Sequence, residues 1–150
     1  MFEKKNSMKK IRILLSIALG LFFIYKGFGK LSSDKLKTLD KELVEEYIIE
    51  NDSYAPPVGY KIVMNTFKQS GYLAFVSIFQ IVAGILIIIP VTRLTGLLLL
   101  LPIIFNIFFM HIFFDNRLDE NIITGSILIL TLFLSSFYVK NIKHLILNNK

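Results

Sequence analysis

His111 and Asp115 stand four residues apart, a spacing that puts an imidazole and a carboxylate on one face of a helix. The pair suits proton transfer or part of a metal site. With no third ligand at matching spacing, capping at a membrane interface is the plainer role. Lys26 and Lys30 repeat the four-residue spacing within Tyr25-Lys26-Gly27-Phe28-Gly29-Lys30-Leu31. Turned outward, such lysines snorkel to lipid headgroups; turned inward, Lys26 would need a carboxylate or an anionic ligand. Gln80 and Asn106 are amides in otherwise apolar runs. Interhelical amide bonds in lipid contribute roughly 0.6 to 2 kcal/mol, enough to fix helix register, and the same groups can line a ligand site. Asn106 lies about 140° around a helix from His111, at about 100° per residue, so one small ligand reaches both only if the helix bends between them. The candidate ligand-binding set is thus Tyr25, Lys26, Lys30, Gln80, Asn106, His111 and Asp115. No catalytic set and no metal set converges.

What must position these residues is a group of four apolar runs. Gly71–Ile89 and Leu94–Phe114 are separated only by Pro90, Val91, Thr92 and Arg93, and neither contains an aspartate, glutamate, lysine or arginine. Nineteen helical residues at about 1.5 Å each reach about 28 Å, close to the roughly 30 Å hydrocarbon thickness of a bilayer. Lipid offers no partner to exposed backbone groups, so these runs are helices and not isolated strands. Ile11 to about Phe28 precedes them as a retained first span, with no convincing cleavage site after it. Ser16, Gly20 and Gly27 share a face there that allows close helix approach. Ile122–Val139 is the fourth span, and its Thr131, Ser135 and Ser136 are expected to bond back to their own helix. Pro102 cannot donate to the Leu98 carbonyl and predicts a kink in the third span. The fold class is an all-α membrane protein: a single domain of four transmembrane helices with a short amphipathic segment, residues 32–70, between spans one and two.

Within that segment Leu36, Leu39, Leu43, Val44, Tyr47 and Ile48 recur at helical spacing, predicting a helix near Asp34–Glu50 capped by Ser33. Pro56 and Pro57 break it, and a second helix is expected near Tyr60–Gln69. Together they cap the bundle mouth or lie in its interface.

Mean hydropathy is +0.62 and 54% of the 150 residues are hydrophobic, in blocks and not at the spacing of a soluble core. The net charge of +6 is distributed by topology. With a cytoplasmic N-terminus, the inner segments hold nine basic residues against Glu3 alone, and the outer segments hold eight against ten acids. Both termini are then cytoplasmic, and Lys140–Lys150 is a basic tail at the inner headgroups. No basic face is interleaved with stacking aromatics, so nucleic acid is not the partner. The chain has no cysteine, which excludes disulfides, thiolate metal sites and thiol-relay chemistry.

With the spans placed, particular residues carry a family likeness. The first-span exit Tyr25–Leu31, Gly71-Tyr72-Leu73 leading to Gln80-Ile81-Val82-Ala83-Gly84, Pro90-x-Thr-Arg93, and Leu101-Pro102-Ile103-Ile104-Phe105-Asn106-Ile107-Phe108-Phe109-Met110-His111 together resemble the DoxX-like membrane proteins. The resemblance implies a four-span bundle in the bacterial cytoplasmic (inner) membrane. Some relatives are associated with quinone-linked oxidoreductases or redox-stress complexes, and distant ones with cargo reception or assembly. It brings no general catalytic residue set.

Two functions of different class follow. One is a non-enzymatic accessory or assembly partner of another membrane or periplasmic protein, using the outer segment. The other is a quinone-linked subunit or small-molecule carrier with an outer-half cavity containing Lys26, Gln80, Asn106 and His111. The first implies no cofactor and the second admits a quinone. Self-association is a third use of the same apolar surfaces, because lipid-facing and partner-facing faces look alike in sequence.

Overall fold

The computed structural model describes residues 2–32, 42, 45, 46 and 58–140. Of the expected helix Asp34–Glu50, only Glu42, Glu45 and Glu46 are described, and all three are helical. The rest of that helix, and the basic tail beyond Lys140, lie outside the described residues.

Among the described residues the chain is all helical, with no strand. α1 runs Phe2–Leu31, longer than the expected span, because Glu3, Lys4, Lys5, Met8, Lys9 and Lys10 are good helix formers that continue the apolar run into a polar extension. α2 is Val58–Gln69, starting directly after Pro57. α3 is Tyr72–Ile88 and α4 is Arg93–Met110. A π-helical turn, His111–Asp115, follows α4 without a break, and α5 is Leu118–Ser136.

Three helical segments are long and apolar enough to cross a membrane: Ser7–Leu31, Arg93–Asp115 and Leu118–Ser136. α3, at 17 residues, reaches that length only together with α2, from which it is bent by 82°. Gly71 makes the bend with φ 78°, a left-handed conformation that glycine adopts without a steric penalty.

The helices pack in chain order, α1 on α3, α3 on α4 and α4 on α5, while α2 lies against α3 and the π turn. The α1 face expected to permit close approach does so. Ser16, Gly20 and Gly27 are all buried, and Gly20 meets the backbone of Gly84. Because Gly20 faces Gly84 while Gly27 faces Ser77 and Ile81, α1 and α3 run antiparallel. In lipid, close packing of this kind holds helices together where apolar transfer contributes little. Leu19, Phe23, Ile87, Leu97, Leu100 and Leu134 form the centre of the bundle. Arg12 closes it at the other side, its guanidinium lying 5.5 and 5.7 Å from the ring centroids of Phe137 and Tyr138.

Large apolar side chains such as Leu14, Phe75, Phe105, Ile122 and Ile129 point outward. The pattern inverts that of a soluble protein, since the surface is apolar and the buried set includes Ser16, Ser77, Gln80 and Thr131. The small hydroxyls satisfy themselves as expected: Thr131 Oγ1 donates to Ile127 O at 2.8 Å and Ser135 Oγ to Thr131 O at 2.8 Å. α4 stays helical through Pro102.

Candidate ligand cavity

α3 and α4 are clamped at one end and enclose a space at the other. At the clamped end Gly96 lies against the backbone of Ala83 and Ile87, where an added Cβ would sit 2.7 Å from Ile87 N. Arg93, only 3% exposed, turns back across the tight connection. Its Nε donates to Ile87 O at 2.9 Å and its Nη2 to Ile88 O at 3.2 Å. Thr92 Oγ1 adds a bond to Leu86 O at 3.0 Å. These donors satisfy last-turn carbonyls of α3 that have no helical partner. Toward the far end a cavity of about 420 Å³ opens between α3 and α4, roofed by α2 through Tyr60, Met64 and Phe67. That volume lies in the range of small-molecule sites, roughly 300 to 1,000 Å³.

The cavity wall is mostly apolar and aromatic, with a few polar groups set into it, among them Lys30, Tyr60, Asn106 and His111. Lys30 Nζ donates to Gln80 Oε1 at 3.3 Å, and Gln80 is itself 1% exposed behind the wall. Asn106 is exposed on the α4 wall and its amide meets no hydrogen-bond partner among the described residues.

His111 is held from behind. Its Nδ1 lies 2.8 Å from Asp115 Oδ2, and Asp115 also accepts from Arg117, at 2.8 Å from Nε to Oδ1 and 2.9 Å from Nη2 to Oδ2. A carboxylate partner selects the tautomer with the proton on Nδ1 and fixes the ring plane. The π turn makes this geometry possible. It closes with Asn116 N donating to His111 O at 2.6 Å and Asn116 in the left-handed region at φ 50°, which folds Arg117 back over Asp115. The doubly bonded carboxylate raises the Arg117 guanidinium above its ordinary value, with Glu120 at 3.7 Å adding to the effect. Tyr60 packs on His111 with ring centroids 5.1 Å apart and ring planes tilted by 36°. Burial, helped by the negative charges of Asp115 and Glu120, pushes the Tyr60 phenol up to about 12, so it remains a neutral donor.

The structure gathers some of the expected residues and disperses others. Lys30, Asn106 and His111 line one cavity, with Gln80 behind Lys30 and Asp115 behind His111. Asn106 and His111 meet the same space despite their angular separation because the cavity covers a broad arc of α4, from Pro102 to His111. Tyr25 is 74% exposed and Lys26 is exposed with its Nζ 5.7 Å from the Phe22 ring centroid, so neither lines the cavity and Lys26 takes the outward arrangement. Tyr60 and Arg117 are the residues that sequence spacing missed. Tyr60 arrives through the 82° bend, and Arg117 through a turn in which helical spacing does not apply. Among the described residues no three His, Asp or Glu side chains gather as a metal site.

No family model matches this chain, and no curated protein or solved structure matches it.

Proposed function

We propose that this is a four-span membrane protein of the DoxX-like type that binds an amphiphilic small molecule between α3 and α4. The observation that carries this reading is the cavity itself, apolar along its length with Lys30, Tyr60, Asn106 and His111 set into it. Ligand sites have this character: apolar walls that take up the body of a ligand and a few polar groups that orient it. Ionisable residues at membrane depth are costly, and a use for them is the default explanation.

Four spans are supported by packing. α3 lies antiparallel along α1, glycine against glycine, so α3 crosses the bilayer if α1 does. The exposed apolar faces of α1, α3, α4 and α5 are then the lipid contacts. The basic inner segments support an orientation with both termini in the cytoplasm, and α2 and the cavity then belong to the outer half; the bacterial inner membrane is what the DoxX-like resemblance implies. A quinone is one candidate occupant. The accessory-partner reading rests on the outer segment, most of which lies outside the described residues, and gains no further support.

The test is ligand retention in mild detergent, followed by native mass spectrometry with a prenylated quinone, a long-chain carboxylate and the matching alcohol offered in turn. At least one is expected to bind, and Ile103→Trp, which fills the cavity, is expected to abolish binding, while Ile129→Trp on the outer face leaves it intact. Binding of none of the three, or binding indifferent to Ile103→Trp, overturns the reading.

A further inference from the structure

The polar groups of the cavity are unevenly matched, and the imbalance specifies a headgroup. Lys30 carries a cation with three hydrogen-bond donors, yet its Nζ finds one neutral acceptor, Gln80 Oε1, at 3.3 Å. Among the described residues it forms no ion pair. A cation withdrawn from water is costly without an opposite charge. Asp115, the acid behind His111, is unavailable: it is bonded through both oxygens to Arg117 and His111, and its side chain is 1% exposed. Asn106 adds an amide with no partner among the described residues, and Tyr60 a phenol that stays protonated. Among the described residues the site therefore holds one positive charge with no negative partner, and Asn106 and Tyr60 can donate beside it.

Resting on the cavity reading above, the geometry points to a long-chain monocarboxylate as the ligand, with Lys30 as counter-ion to its headgroup and the aromatic walls of α2 and α3 against its chain. A single formal cation matches a single negative charge. A phosphate headgroup calls for more, and bidentate arginine is its usual partner; Arg117, the nearby arginine, is committed to Asp115. A quinone would accept hydrogen bonds from Lys30 but leave its charge uncompensated. The chain end has a path as well. Phe75 and Phe79 belong both to the cavity wall and to the outward apolar surface, so a tail longer than the cavity continues along α3 into lipid.

The experiment compares hexadecanoate with hexadecanol on the purified full chain in detergent, by native mass spectrometry or displacement of a fluorescent fatty acid. The carboxylate is expected to bind about tenfold or more tightly than the alcohol, the size expected of a charge-assisted contact. Lys30→Met keeps the apolar stem and is expected to lower the carboxylate to the level of the alcohol, with alcohol binding unchanged as the sign of an intact fold. Lys30→Arg is expected to keep the preference. Equal binding of carboxylate and alcohol by the unaltered protein overturns the inference, as does a preference that survives Lys30→Met. If Lys30→Met binds neither ligand, the Lys30→Arg variant decides, and loss of the preference there overturns it too. A prenylated quinone bound more tightly than the carboxylate removes this inference and leaves the cavity reading standing; binding of no amphiphile removes both.

Discussion

Gly20 of α1 and Gly84 of α3 meet backbone to backbone, such that a Cβ on either would lie 2.6 Å from the carbonyl oxygen of the other. Backbone cannot yield as a flexible side chain can, so this contact sets the distance between the two helices. The same crossing buries Ser16 on α1 and brings Ile24 and Ile88 against the opposite glycines.

Gly20→Val and Gly84→Val are accordingly expected to destabilise the bundle by about 1 to 3 kcal/mol or more, the usual cost of overpacking. Gly29 is the control on the same helix. A Cβ there meets nothing within 4 Å, so Gly29→Ala should leave stability unchanged or raise it slightly. Thermal unfolding in detergent checks the contrast. If Gly84→Val melts with the unaltered protein, the contact does not set the spacing.

Arg93 gives a second expectation, because its two donors close the end of α3 from the start of α4. Arg93→Ala leaves the Ile87 and Ile88 carbonyls without those partners and should cost roughly 1.5 to 3 kcal/mol, as for hydrogen bonds to charged groups. Arg93→Lys should recover only part, since an ammonium lacks the planar fork that reaches both carbonyls. The order of melting temperatures, unaltered above lysine above alanine, is the measurement. Equal values for all three would reduce Arg93 to a topological charge.

The long apolar helices were legible in the sequence because a run of about twenty residues without charge, flanked by polar ends, is what a helix suited to lipid requires; the run Gly71–Ile89 gave a helix of 17 residues, which reaches that length only with α2 across the bend. The Ser16–Gly20–Gly27 face was legible for a similar reason, as only small residues permit close approach. Its partner Gly84 was not, since the choice of neighbour is made by tertiary packing. Among the site residues, Lys26 and Lys30 look alike in sequence. The two side chains take different directions from the same helix, Lys30 reaching Gln80 and Lys26 lying outside over Phe22. The His111–Asp115 pair followed from helical spacing, but its completion by Arg117 depends on a π turn and a left-handed Asn116 that no periodicity announces. Tyr60 depends on the bend at Gly71, and a straight continuation from α2 to α3 would carry it away from His111.

Tyr60 provides the last expectation, on the alkaline side. Its phenol is raised from the ordinary value of 10 to about 12, first by burial and then by Asp115 and Glu120. The folded protein therefore holds this proton more tightly than the unfolded chain. The stabilisation is fully present below pH 10 and is lost as pH rises through about 12. Lysines and the other tyrosines titrate in the same range, so the informative quantity is a difference. Tyr60→Phe keeps the ring packed on His111 and removes the ionisation, and should lose less stability than the unaltered protein between pH 10 and 12. Melting temperatures in detergent at stepped pH give the comparison, and the tyrosinate absorbance should show one phenol fewer titrating late in the variant. Superimposable pH profiles would mean that Tyr60 is open to solvent, and the roof that α2 places over the cavity would have to be redrawn.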